Sequence, residues 1–313
     1  MKRMVLALCL LTAAGFTAFG CDGDSSSNDA TTDDGASPDT LEEETTGPGG
    51  YPAGMPNLEG AWTGCEEIPP EGDTVTVYIE LLDFQEDFAV EGAYIDVFLG
   101  NIVTGDPDFE LGPTDPNGRT DEFDAAANAV FAYRVNGSTD VPFPPGEIKT
   151  SIEYGAVVPA EGGAIDGIAV SRHTYQLIPS VLGFSPSPTM GILAGGFKDC
   201  GGDDVTGIVA RLYRSGQDEA CNDEEAVECL DRYFVEDTPA RDQLWSSEDG
   251  LYGILEIPPG EGLRLELHGK VSGSSCEEGM EIIGAMEDIR IIENAISIVD
   301  VSAAAAEDHD CSM

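Results

Sequence analysis

The stretch Thr74–Leu81 reads TVTVYIEL, with an apolar side chain at every second position and Thr, Tyr or Glu between them. Alternation with a period of two is typical of a β-strand that buries one of its faces. Residues 263–268, which read LRLELH, alternate in the same way. Because the two stretches lie far apart in the chain, we predict that strands of this kind form the body of the protein.

Other short runs have the same β character and are separated by turns rich in Gly, Pro, Asn and Asp, as in sandwiches and barrels. The segment Ile168–Leu182 differs, because it groups its apolar residues at helical spacing and contains Pro179. We predict a short helix there. The further predicted strands are Ala93–Leu99, Ala129–Val135, Ile148–Tyr154, Gly191–Phe197, Thr206–Tyr213, Leu251–Ile257 and Ile289–Val301.

Three landmarks occur twice and in the same order, which indicates an internal repeat. The first is V-x-G before alternating apolar residues, the second is a polar turn that ends in Gly, and the third is P-P-G-E before a strand. The first two landmarks lie 43 residues apart in the second copy and 26 in the first, and the extra residues carry Cys221 and Cys229. The paired landmarks are Val90–Val97 with Val205–Leu212, Thr114–Gly118 with Ser246–Gly250, and Pro144–Glu147 with Pro258–Glu261.

This order of landmarks resembles the carboxypeptidase regulatory-like domain. The second copy is the closer match, through Gly195–Cys200, Asp249–Tyr252 and Ile257–Gly260. The chain as a whole is similar to two-domain lipoproteins of myxobacteria and related bacteria. The resemblance implies an all-β protein with two Greek-key, transthyretin-like β-sandwiches. It is a resemblance to the accessory module of those carboxypeptidases, so it implies no peptidase activity.

The N-terminus has the pattern of an export signal. Two basic residues precede the apolar run Met4–Phe19, which is too short for a comfortable membrane span. Cys21 follows at once, as in a bacterial lipobox, and we predict that it is lipidated; ordinary cleavage after Gly20 is the alternative. Residues 22–50 contain nine acidic and no basic residues, a composition that predicts a disordered linker.

These patterns together predict six segments, in which a short helical connector joins two sandwiches. The predicted segments are a signal peptide (1–20), the lipidated Cys with its disordered acidic linker (21–57), the first sandwich (58–165), the connector (166–185), the second sandwich (186–305) and an acidic tail (306–313).

Charge and cysteine content limit the partners and the compartment. The formal net charge of −46 excludes nucleic acid as a partner, because too few basic residues are present to neutralise phosphates. An even set of six cysteines downstream of Cys21 in an exported protein predicts three disulfides. Cys221–Cys229 closes a short loop within the extra residues, and elimination then leaves the pairs Cys200–Cys276 and Cys65–Cys311.

Histidine, the usual residue of catalytic and metal sites, is scarce. His173 and His268 lack the H-x-x-E spacing of a zinc carboxypeptidase, His268 is expected on the solvated face of its strand, and His309 lies in the acidic tail. The motif at Asp115–Gly118 looks like a calcium loop, but Arg119 stands at the third ligand position, so a turn is expected. We predict no catalytic residue, no cofactor and no metal site.

Three classes of function remain open from the sequence. The leading hypothesis is a non-enzymatic lipoprotein of the cell envelope, in the outer membrane, with a structural, adhesive or partner-binding role. The alternative is a carbohydrate-binding accessory lipoprotein, in which Trp62 or Trp245 would stack on a glycan. An enzyme of unrecognised type is the third. The expected partners are the membrane, through the lipid on Cys21, and an unknown protein or glycan.

Overall fold

A computed structural model describes residues 52, 54–58, 69–142, 146–181, 185–222, 229–235, 238–240, 242–272, 274, 276, 280–302 and 310–311. Within these ranges the chain forms one helix, α1 (Arg172–Val181), and eighteen strands. The strands are β1 (Thr74–Asp83), β2 (Ile95–Leu99), β3 (Phe109–Leu111), β4 (Phe123–Ala126), β5 (Val130–Val135), β6 (Ile148–Lys149), β7 (Ser151–Val157), β8 (Gly163–Ser171), β9 (Gly191–Lys198), β10 (Ile208–Tyr213), β11 (Leu230–Val235), β12 (Thr238–Ala240), β13 (Leu251–Ile257), β14 (Gly260–Lys270), β15 (Met280–Ile291), β16 (Ile296–Val299), β17 (Val301–Ser302) and β18 (Asp310–Cys311).

One large sheet runs through both halves of the described chain, in the order β12-β11-β13-β9-β16-β7-β5-β2-β3. Strand β16 lies parallel to β9 on one side and parallel to β7 on the other, so it connects the two halves of the sheet. We name β16 the joint. Ile298, for example, is level with Glu153 of β7 and with Ala194 of β9. Strands from before and after the helix therefore share one hydrogen-bonded ladder.

A small sheet covers each end of the central sheet. The first small sheet has the order β4-β1-β8-β6 and the second has the order β10-β14-β15-β18. The first packs through Ile79 and Leu81 against Phe131 and Tyr133 of β5, which forms the first core. The second packs through its Leu-rich strand β14 against β9, β13 and β16, which forms the second core.

The two cores lie on opposite faces of the central sheet. On β5 the side chains of Phe131 and Tyr133 belong to the first core, whereas Ala132 between them belongs to the second. Successive side chains of a strand point to opposite faces, so the two small sheets must cover opposite faces. Each core is a sandwich interior, as the alternating sequence pattern predicted.

Six strands of the first half have counterparts in the second half with the same pairing. Strand β1 lies between antiparallel β4 and parallel β8, and β9 lies between antiparallel β13 and parallel β16. In the same way, β5 joins β2 to β7 and β14 joins β10 to β15, all antiparallel. We name these two sets of strands the first repeat and the second repeat.

Helix α1 lies within the segment predicted to be a helical connector. Ser171 Oγ accepts a hydrogen bond from the Thr174 amide at 3.2 Å, a side-chain contact that caps the helix start. Tyr175 then packs on Ile192 and Ile296, on the sheet face opposite the second core. The helix therefore packs on the central sheet.

The sequence prediction was wrong for residues 168–171, which belong to β8. This strand pairs with β1 and is largely buried, so its apolar residues do not alternate clearly with polar ones. The predominance of strands is confirmed, with 51% strand and 4% helix in the described chain. None of the described helical residues form a helix long and apolar enough to span a bilayer.

Candidate functional site

A buried hydroxyl holds the same turn in both repeats. Thr114 Oγ1 accepts the Ala93 amide at 3.0 Å and donates to the Val90 carbonyl at 2.5 Å. Ser246 Oγ accepts the Ile208 amide at 3.0 Å and donates to the Val205 carbonyl at 2.7 Å. Both side chains are buried, at 3% and 0% exposure. The first two landmarks that were aligned from the sequence are thus equivalent in three dimensions. The third pairing was wrong, because Pro258–Glu261 leads into β14, the counterpart of β5, whereas Pro144–Glu147 comes after β5 in the chain.

The glycine that ends each turn is required by the close approach of the backbone. Gly118 has φ +76° and its carbonyl accepts the Leu81 amide at 2.8 Å, while Gly250 has φ +65° and its carbonyl accepts the Phe197 amide at 2.9 Å. A Cβ at Gly118 would lie 2.3 Å from the Leu81 oxygen, and a Cβ at Gly250 would lie 2.8 Å from the Phe197 oxygen. No side chain fits either position without displacement of the backbone.

The turn that follows the first strand of each repeat is organised by an aspartate. Asp83 Oδ1 accepts the amides of Gln85 and Glu86, at 3.1 and 3.0 Å. Asp199 Oδ1 accepts the amides of Gly201 and Asp203, at 2.7 and 3.0 Å. Sequence reasoning missed this pair of turns, although an Asp followed by a polar cluster is the signal that predicts an Asx-type turn.

A carboxyl and a phenol link the two sheets of the first repeat beside the joint. The Tyr133 hydroxyl bonds to Glu153 Oε2 and accepts the amide of Ile168 from β8 at 2.8 Å. Burial raises the pKa of Glu153 to about 8, and the negative charges of Asp300 and Asp166 add to the rise. Burial also raises the pKa of Tyr133. At neutral pH, Glu153 is therefore a neutral hydrogen-bonding group.

His268 lies on the outer face of β14, as the alternation predicted, but the expectation that it is solvated was wrong. The side chain is only 2% exposed, and its Nε2 lies 3.0 Å from Glu266 Oε2. Glu266 also pairs with Arg264 at 2.6 Å, and burial lowers the pKa of His268. This arrangement is a buried hydrogen-bonded pair on a sheet face that other parts of the chain cover.

Met55 forms part of that cover beside Val209, the cross-strand neighbour of His268, although it falls in the range predicted to be linker. The Leu58 amide donates to the Lys270 carbonyl at 2.8 Å, and Met55 is buried against Val209 and Met280. Trp245 packs on the same cluster and is partly buried, so its ring serves packing there. The other tryptophan proposed for glycan stacking, Trp62, lies outside the described residues.

The remaining residues selected from the sequence do not meet at one place in the described chain. His173 is exposed at the start of α1, and His309 lies outside the described residues. Asp115 Oδ1 accepts the amides of Asn117 and Arg119, which lowers the pKa of Asp115 and confirms the predicted turn. Within the described ranges, no group of three or more His, Cys, Asp or Glu side chains could hold a metal ion.

The disulfide predicted between Cys221 and Cys229 is present, with a Cα–Cα distance of 5.5 Å. Cys200 and Cys276 are also disulfide-bonded. The pairings Cys200–Cys276 and Cys65–Cys311 remain predictions, because Cys65 lies outside the described residues. The lipidation site predicted at Cys21 also lies outside them.

A shallow depression of about 430 Å³ lies on the surface of the second repeat, between the turn after β10 and strands β14 and β15. The guanidinium carbon of Arg264 stands 5.0 Å from the centre of the Tyr213 ring. Arg214 adds a second positive charge, and Asp218, Glu287 and Asp288 add three negative charges to the lining. The lining is thus polar and of mixed charge, and it favours no single class of ligand.

No protein-family model matches the chain, and no curated protein matches it. Among solved structures, the Bacillus anthracis TIE protein shares 12% identity over 73% of this chain, with a TM-score of 0.22; the match covers 34% of that protein, so this chain spans about a third of its length. A shaft pilin of Lactobacillus rhamnosus GG shares 9% identity, covering 73% of this chain and 97% of the pilin at a TM-score of 0.22. The major pilin of Streptococcus pyogenes shares 11% identity, with 74% and 99% covered at a TM-score of 0.21. TM-scores this low do not establish a shared fold.

Proposed function

We propose that this protein is a non-enzymatic, exported lipoprotein of the cell envelope, anchored in the outer membrane through Cys21, with a structural, adhesive or partner-binding role. The observation that carries the proposal is the continuous central sheet. Because β16 is hydrogen-bonded to strands of both repeats, the two halves form one ladder in place of two bodies around a hinge. Such a body holds its surfaces in a constant arrangement and is suited to presenting them to a partner.

The finer fold assignment belongs to the same proposal. Each repeat has the pairing of one strand between an antiparallel and a parallel neighbour, opposite a three-stranded antiparallel set. The matched turns at Thr114 and Ser246 support a common ancestor for the two repeats. We infer that both are Greek-key, transthyretin-like domains related to the carboxypeptidase regulatory-like family.

The export pathway is inferred from the N-terminal sequence. The basic start, the short apolar run and Cys21 followed by an acidic linker form the pattern of a lipoprotein precursor. A single acyl chain binds a membrane only weakly, so stable anchoring takes a second acyl chain or a second membrane contact. The acidic linker would then hold the folded body away from the membrane through self-repulsion.

The test is cell fractionation of a Cys21→Ser variant together with metabolic labelling by a fatty-acid analogue. We expect the wild-type protein in the membrane fraction and labelled, and the variant unlabelled and either released or left as an uncleaved precursor. Cys9→Ser, which changes a cysteine within the apolar run, is the matched control and should behave like the wild type. Unchanged labelling and membrane association of the Cys21→Ser variant would reject the anchor.

A further inference from the structure

The connection between β1 and β2, residues 84–94, exposes three aromatic side chains. Phe84 is 39% exposed, Phe88 is 46% exposed and Tyr94 is 54% exposed. We name this segment the aromatic connection. The other large hydrophobic residues that are exposed in the described chain are aliphatic and lie in other segments, namely Leu99, Ile102, Val157 and Val235. The exposed aromatic surface of the described chain is thus concentrated on one connection.

The backbone of the aromatic connection is held in place on both sides of its turn. The Phe84 amide donates to the Ala169 carbonyl of β8 at 2.9 Å, and the Phe88 carbonyl accepts the Asp83 amide at 2.8 Å. Asp83 itself is buried and accepts the amides of Gln85 and Glu86. The rings of Phe84 and Phe88 therefore project from an ordered turn. Because the turn is already ordered, less conformational entropy is lost when a partner binds.

The second repeat shows that the fold does not require these aromatic side chains. Its counterpart turn is also organised by an aspartate, Asp199, which accepts the amides two and four residues further on, and it leads back to a strand pair between Lys198 and Asp204. That turn holds Cys200, which is disulfide-bonded, and otherwise Gly and Asp residues. Since the same backbone device forms without an apolar side chain, the exposed rings of Phe84 and Phe88 serve something other than folding.

The charges around the rings select among the surfaces that could cover them. Glu86, Asp87 and Glu91 are exposed, and no basic residue lies within residues 84–94. An anionic bilayer or a second copy of this chain, with its net charge of −46, would be repelled. A protein surface with lysine or arginine side chains around an apolar cleft would be attracted, and its cations could also contact the aromatic rings.

We propose that the aromatic connection is a docking surface for a basic protein partner, whose apolar cleft receives the rings of Phe84 and Phe88. The inference rests on the proposed partner-binding function and names the chemistry of the partner. The acidic side chains of Glu86, Asp87 and Glu91 attract the partner during association. The rings of Phe84 and Phe88 provide the apolar area that binding buries. The proposed partner is an extended or grooved protein segment in which Lys or Arg side chains flank apolar ones.

The test measures binding of short synthetic peptides to the intact purified protein by fluorescence anisotropy at physiological salt. One probe alternates Leu and Lys, and the second alternates Ser and Lys, so the two carry equal charge. We expect the Leu/Lys peptide to bind about tenfold more tightly than the Ser/Lys peptide, because only the former can cover the rings. The double variant Phe84→Ser/Phe88→Ser should lose this difference.

Leu99→Ser/Ile102→Ser is the matched control, because these side chains have comparable exposure, 38% and 45%, outside the connection. It should keep the tenfold preference, and thermal melts should show both variants folded. Replacing Glu86 and Asp87 by Gln and Asn should weaken binding of both peptides and reduce its dependence on salt.

Equal binding of the two peptides by the wild type would overturn the proposal, as would a preserved preference in the Phe84→Ser/Phe88→Ser variant. Phosphatidylcholine vesicles, with and without phosphatidylglycerol, test the membrane alternative. If substitution of the two rings reduces vesicle binding and leaves peptide binding unchanged, the surface contacts lipid and the proposal is wrong. Neither measurement depends on Cys21, so failure here leaves the test of the lipid anchor independent.

Discussion

In the first repeat, strand β4 pairs with β1 and, among the described residues, with no further strand, whereas its counterpart β13 also pairs with β11. Strand β11 turns back into β12, and both follow the disulfide Cys221–Cys229. The extra residues of the second repeat thus extend the edge of an existing sheet and leave the six shared strands unchanged. The insertion also adds Cys221, Cys229 and Tyr233 to the second core, while the shared strands keep their pairing and their turns.

The two repeats also differ in the ionisable groups that they bury. The first places Glu153 beside Tyr133 at the joint, and the second places His268 beside Glu266 under a covering segment. Burial raises the pKa of the carboxylic acid and lowers that of the imidazole, because it disfavours the charged form of each. The second repeat also buries Asp231 beside Tyr233, and burial raises the pKa of Asp231. Opposite responses to pH are therefore expected of Glu153 and His268 themselves.

The largest expected effect is at the matched turn glycines. Gly118→Ala should lower the free energy of unfolding by about 4 kcal/mol and Gly250→Ala by about 2 kcal/mol, because both combine a positive φ with a clash that is closer at Gly118. Urea denaturation measures both. Gly100→Ala is the control, since φ is +77° there but no atom lies within 4 Å of the added Cβ. It should lose about 1 kcal/mol, and equal losses at all three positions would show that the clash is not important.

Removal of the disulfide should affect the second repeat alone. Cys221→Ser/Cys229→Ser opens a loop of sequence separation 8 and should lower the free energy of unfolding by about 2–3 kcal/mol. Hydrogen exchange should accelerate in β11 and β12 and stay unchanged in β4, which has no such hairpin beside it among the described strands. An equal loss of protection in β4 would mean that the edges of the two repeats are coupled.

The pH response should separate the two buried groups. The pKa of Glu153 is about 8 in the folded state, above its ordinary value of 4.5, so its contribution to stability is full below about pH 4.5 and is lost as the pH rises through 8. The pKa of His268 is below its ordinary value of 6.5, so its contribution is full above pH 6.5 and is lost as the pH falls.

Melting curves of Glu153→Gln and His268→Gln between pH 5 and pH 9 measure both contributions, with the wild type as reference. Glu153→Gln should remove part of the fall in stability as the pH rises from 5 to about 8, and His268→Gln should remove part of the fall as the pH drops below 6.5. If both variants change the slope of stability against pH in the same direction, the opposition between Glu153 and His268 is wrong.

The smallest expected effect is that of salt on the folded body as a whole. The 51 acidic residues in the range 51–313 outnumber its 12 basic ones and repel one another. Raising the salt from about 10 mM to about 1 M shortens the screening length from about 30 to about 3 Å. We expect a gain of about 1 kcal/mol, or about 2–4 °C in melting temperature, that is similar for sodium and potassium chloride. A flat melting temperature would show that the charges are already far enough apart.

Sequence alone determined the local features of this protein. The alternating stretch Thr74–Leu81 forms all of strand β1 except its end. The paired landmarks around Thr114 and Ser246 make the same hydrogen bonds. These features could be predicted because a period of two and a glycine-ended turn are properties of a few neighbouring residues. The disulfide between Cys221 and Cys229 was predictable for the same reason, since both cysteines lie in one short loop.

Only the tertiary structure decided which edges meet and which faces are covered. No pattern in residues 296–299 indicates that β16 lies between β9 and β7, because parallel pairing of distant strands leaves no local trace. Alternation placed His268 on the outer face correctly, but its burial depends on chain that reaches that face from elsewhere, in part Met55, which packs on Val209 beside His268. The period of a strand determines the side to which a residue points, and long-range packing determines whether water is there.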